Sequence, residues 1–91
     1  MPIMMFSNSK ARQHLIDYGI VYTVRSHNLA DTQVDVPLVG RCNRVNMGPV
    51  DRHILIDTVS ESGFSTVLEW WRAIRSFTQA KDLWLYKVAR V

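Results

Sequence analysis

The segment SGFSTVLEWWRAIRSFTQAKDLWLYKVARV, Ser62 to Val91, constrains this chain more than any other. Val67, Trp70, Trp71, Ile74 and Phe77 recur at intervals of three and four. A helix gathers them into one apolar stripe and turns Glu69, Arg72, Arg75 and Ser76 to the opposite side. Thr66 stands three residues before Glu69, the spacing at which a threonine hydroxyl and a glutamate cap the first turn, so the helix is predicted to begin there. A stripe carrying two indoles needs an apolar surface to lie on. Leu83 to Val91 supplies a strand for it, with Leu83, Leu85, Lys87, Ala89 and Val91 on one face and Trp84, Tyr86, Val88 and Arg90 on the other.

The rest of the chain is read against that pair. Met1 to Phe6 is predicted as a short first strand, and Ser7 or Ser9 as the cap of a helix running to about Tyr18. Gly19 then takes the left-handed position that ends it. IVYTVR, Ile20 to Arg25, is β-branched and aromatic and reads as a strand whose faces are Ile20, Tyr22, Val24 and Val21, Thr23, Arg25. Ser26 to Asp35 is polar without a clean period and reads as a loop. Strand character returns from Pro37 through Val45, and Met47-Gly48-Pro49 reads as a turn. His53 to Val59 alternates and is predicted as a central strand.

At 91 residues the chain has room for one core, so 1–91 is expected to be a single domain. Strands outnumber helices and are not separated by regular crossover helices. The expected class is therefore α+β, with a curled, mainly antiparallel β-barrel and two flanking helices. The apolar start, Met1 to Phe6, is too short to span a bilayer, which sets the expectation of a cytoplasmic protein without a membrane partner. With one cysteine, Cys42, no internal disulfide forms. The three histidines are scattered and Cys42 has no neighbour at zinc-ligand spacing, so neither a metal nor another cofactor is expected. The formal charge is +3, and arginine outnumbers lysine eight to three. That balance leans toward an anionic partner, because guanidinium groups pair with phosphate through two hydrogen bonds and stack on bases.

Three segments in this order, YGIVYTVR, Glu61-Ser62-Gly63-Phe64 with the following Trp70-Trp71 helix, and LWLYKVARV, together resemble the ASCH domain, a small cytoplasmic member of the PUA-like superfamily. They cover roughly half the chain. Gly19, Thr23 and Arg25 match the family's glycine, threonine and arginine in type, whereas the lysine slot holds Ile20 or Val21. The resemblance implies a PUA-like barrel that binds RNA or a modified nucleoside. In enzymatic relatives it implies amide hydrolysis of an acylated cytidine, for which Thr23 and Glu61 would be the catalytic residues here. Without the lysine, binding is the leading expectation and the hydrolase the alternative.

On the residues themselves, Thr23 and Arg25 share a strand face and are candidates to hold a phosphate or nucleobase, with Tyr22 beside them as a stacking ring and His27 just beyond. Arg41 and Arg44 are candidates to extend the same basic surface. Trp70 and Trp71, at helical spacing with other apolar residues, belong to the core. The expectation is that the tryptophan helix plugs a curved sheet and leaves Arg25 lining an open hollow in a monomer. A third reading has Leu83 to Val91 serving as an exposed edge strand for a protein partner.

Overall fold

The structure, a computed structural model, describes residues 1–91. Helix α1 (Ser9–Tyr18) is followed by strands β1 (Ile20–Arg25), β2 (Thr32–Val36) and β3 (Gly40–Pro49). Helix α2 (Arg52–Thr58), a single 3-10 turn (Val59–Glu61) and helix α3 (Val67–Phe77) lead to the last strand, β4 (Trp84–Arg90). The class is α+β, and the strands form one open antiparallel sheet in the order β1-β4-β3-β2. No helix is long and apolar enough to cross a membrane.

Local chemistry explains the elements that the sequence predicts. Thr66 caps α3 by accepting from the Glu69 amide at 3.1 Å. Gly19, at φ 76°, ends α1 and donates its N–H to the Leu15 carbonyl at 2.9 Å. The start of α1 differs by one residue from the prediction. Asn8 is the cap, its Oδ1 accepting from the amides of Lys10 at 2.9 Å and Ala11 at 3.4 Å.

Strand β4 divides its side chains as its alternation requires, and the division builds two cores. Tyr86 and Val88 pack with Val21, Val34, Val36 and Cys42 beneath Met4, Phe6, Ala11 and Leu15. Leu83 and Leu85 pack on the opposite face with Leu55, Trp70 and Ile74. The sheet is thus a layer between the N-terminal segment with α1 and the pair α2 and α3. This arrangement corrects three expectations. The sheet is not closed into a barrel; it has three helices rather than two; and α3 covers one face of the layer instead of plugging a curl. Both faces of β4 are already packed, and the outer face of β2 and early β3 is mostly polar (Gln33, Asp35, Arg41, Asn43), so closing the sheet would bury little further apolar surface.

Other corrections are local. His53 to Val59 is mostly helix α2, because Asp51 caps it by accepting from the Ile54 amide at 2.8 Å and the Thr58 hydroxyl donates to the Ile54 carbonyl at 2.6 Å. Thr32 to Asp35 belongs to β2 rather than to a loop, with Val34 and Val36 buried and Gln33 and Asp35 exposed. Met47-Gly48-Pro49 is not a turn; it continues β3 past a bulge between Asn46 and Gly48. Met1 to Phe6 is not a strand; its pairing with the sheet is limited to a parallel bridge from Ile3 to Asp35. Finally, β4 lies between β1 and β3, so Leu83 to Val91 is no edge. The edges are β1 and β2.

Candidate functional site

Strand β1 is an edge that α1 only begins to cover. The Arg90 amide donates to the Gly19 carbonyl at 2.8 Å, which fixes the phase of the β1–β4 ladder. In an antiparallel pair the bonded residues alternate, so Val21, Thr23 and Arg25 face β4 while the N–H and C=O groups of Ile20, Tyr22 and Val24 turn outward. His14 takes the Ile20 carbonyl, its Nδ1 lying 2.8 Å away and donating. The outward groups of Tyr22 and Val24 have no partner within the protein.

A cleft of about 300 Å³ runs along this edge. Six consecutive residues, Tyr22 to His27, line it although their side chains point to alternate faces, which identifies the backbone edge itself as the floor. One wall is Phe6, Ser7, Asn8 and Ala11; the other is Phe64 with Trp70, Ala73, Ile74 and Phe77 from α3. Trp70 is core, as its helical spacing requires, whereas the Phe77 ring is 58% exposed at the lip.

Arg25 is the electrostatic centre of the cleft. Its guanidinium carbon lies 4.9 Å from the centre of the Phe6 ring, and its Nε is buried with no hydrogen-bond partner. No carboxylate answers it: the one ion pair of the chain joins Lys10 to Glu69. Burial, reinforced by the positive charge of Arg44, holds the Arg25 guanidinium below its ordinary pKa, and Tyr86 opposes the shift. A positive charge that is desolvated, crowded by a like charge and unpaired is poised to gain from an anion.

The loop that carries Ser26 and His27 into the cleft is fastened from beneath. The buried Tyr86 hydroxyl donates to the His27 carbonyl and accepts from the Leu29 amide at 2.6 Å. Arg44 donates to the Ala30 carbonyl at 2.9 Å, and Asn46 bonds Asn28, Leu29 and Asp31. Three side chains of the sheet therefore hold a polar segment across its face.

The predicted site residues are only partly brought together. Tyr22, Thr23, Arg25 and His27 share the cleft. Arg44 stands behind it, its guanidinium carbon 5.8 Å from the centre of the Tyr86 ring, and acts on Arg25 through charge. Arg41 is exposed on the opposite face of the sheet from Arg44, because an odd separation along a strand reverses the side. Glu61 opens with His14, Tyr18 and Ser65 onto a separate, more open depression, so it does not share a cleft with Thr23. The walls contributed by Phe6, Asn8, Phe64 and Phe77 were invisible to the spacing of β1 residues. No group of three or more His, Cys, Asp or Glu side chains is placed to hold a metal ion. Comparisons with family models, with curated proteins and with solved structures found no match for this chain.

Proposed function

We propose that this is a small binding domain that takes a nucleotide, free or as one unpaired nucleotide of an RNA chain, in the cleft along β1. Arg25 holds the phosphate, and the base lies among the rings of Phe6, Tyr22, Phe64 and Phe77. The observation that carries this reading is the unpaired Arg25 guanidinium at a ring-lined cleft. A volume of about 300 Å³ is at the small end of ligand pockets and suits a nucleotide-sized guest. Thr23, buried at the floor, and the more open Ser26 and His27 add polar groups to the cleft. The resemblance of Gly19, Thr23 and Arg25 to the ASCH pattern supports the same class of ligand. Binding is preferred to hydrolysis of an acylated cytidine because Thr23 and Glu61 open onto different clefts.

The test is a titration of isotopically labelled protein with a short single-stranded RNA of mixed sequence, read amide by amide. Shifts are expected to cluster on Phe6 to Asn8 and Tyr22 to His27, to weaken as salt is added, and to require at least tenfold more RNA in Arg25→Gln. An absence of shifts at millimolar ligand, or shifts confined to surfaces away from β1, would reject the reading.

A further inference from the structure

We infer that the free edge of β1 reads the hydrogen-bonding rim of the nucleobase, through the Tyr22 carbonyl and the Val24 amide. This rests on the reading of the cleft as a nucleotide site and adds what it distinguishes: an unpaired base, as against a base already paired in a duplex or a bare sugar phosphate.

The placement follows from the ladder. Tyr22 and Val24 alternate with residues bonded to β4, so the Tyr22 C=O and the Val24 N–H point the same way, out of the sheet and into the cleft. Neither has a partner in the protein. One acceptor followed by one donor is the complement of a base rim, where an N–H donor and a nitrogen or oxygen acceptor lie side by side. These are the same atoms that Watson–Crick pairing uses, so a base already paired cannot present them. The flat ring they would hold enters between the Phe6 and Phe77 walls, and Arg25, one residue beyond Val24, meets the phosphate that a base carries through its sugar.

A peptide strand is the other guest that an open edge recruits. Here the open length opposes it. The α1 helix closes the edge at Ile20, whose carbonyl is bonded to His14, and the chain leaves strand geometry after Arg25. Only Tyr22 and Val24 remain free, which suits a small planar guest better than an added strand.

The experiment measures amide hydrogen exchange and affinity together. In the free protein the Tyr22 and Val24 amides should exchange quickly for mid-strand positions. A mixed-sequence single-stranded hexamer RNA should slow Val24 exchange at least tenfold. The same hexamer annealed to its complement, and an abasic hexamer, should bind at least tenfold more weakly. Val24→Pro removes the outward N–H at an edge position where proline leaves the β4 ladder intact, and should cost at least tenfold in affinity. The exchange measurement needs no variant and holds if Val24→Pro does not fold. RNA binding that depends on Arg25 but leaves Val24 exchange unchanged, or that is equally strong for duplex or abasic RNA, overturns this inference and leaves the nucleotide reading standing. No binding of any RNA overturns both. An acidic extended peptide that protects both amides where RNA does not would replace the base with a strand as the guest.

Discussion

Replacing Tyr86 with phenylalanine isolates the fastening of the cleft loop. The ring is fully buried and the substitution keeps it, so no cavity larger than a hydroxyl opens. What is lost is the bond to the His27 carbonyl and the bond from the Leu29 amide. At about 1 kcal/mol net for each bond, Tyr86→Phe should cost about 2 kcal/mol. Because both loop groups are partly buried, water recovers little of it. In a domain of this size about 1 kcal/mol moves the melting temperature by 4 to 8 °C, so a fall of about 10 °C is expected. Urea melts should show the loss as a lower midpoint with an unchanged slope, and the Leu29 amide should exchange faster. RNA affinity should fall by only about threefold, since Arg44 and Asn46 still tether Ala30, Asn28 and Asp31. A melting temperature within about 2 °C of the wild type, with Leu29 exchange unchanged, would refute the claim that Tyr86 holds Ser26 and His27 at the cleft.

Two further outcomes follow from the same geometry. Arg25→Met removes a charge that is desolvated and repelled by Arg44 while giving up its contact with Phe6, and should raise stability by about 1 kcal/mol as RNA affinity falls at least tenfold. A urea melt in which Arg25→Met is less stable than the wild type would refute the assignment. Gly63→Ala places a Cβ 2.5 Å from the Lys10 carbonyl oxygen at a backbone φ of +89°, and should cost about 3 kcal/mol in a urea melt; a loss below about 1 kcal/mol would mean that α1 does not pack on this turn.

Sequence reading succeeded where the signal was local. The Thr66 cap, the three-and-four spacing of α3 and the Gly19 stop each fix an element from a few neighbouring residues. It failed at His53 to Val59, where a seven-residue run with apolar side chains on both sides fits either period, and the decisive Asp51 cap lies outside the run. It failed at Thr32 to Val36 because the polar residues before it hid a clean Val34, Val36 alternation. Four of the site residues fall within the six positions from Tyr22 to His27, but strand period joins only Thr23 and Arg25; the others share the cleft because it runs along the backbone edge. Arg41 and Arg44 carried a legible warning, since residues three apart on one strand face opposite ways. The aromatic walls carried none: Phe6, Phe64 and Phe77 meet only through tertiary packing.

The two cores and the open cleft have one cause. Residues of β4 face both layers, so the centre of the sheet is covered above and below, while its rims and the outer face of β2 and early β3 stay exposed. Natural sheets cover, shorten or charge such rims because a long bare edge pairs with another chain. Strand β2 is covered in part by the bridge from Ile3. Strand β1 is shortened by α1 to two free residues and charged by Arg25 beside them. That combination leaves little open edge on which another strand could pair. It also costs stability, because burying a second positive charge beside Arg44 brings no compensating carboxylate. A neutral side chain at position 25 would guard the edge less well but fold more stably. On the proposed reading the charge is kept for the anion it would hold, and the pairing of higher stability with lost binding in Arg25→Met is the signature that separates a ligand site from a merely guarded edge.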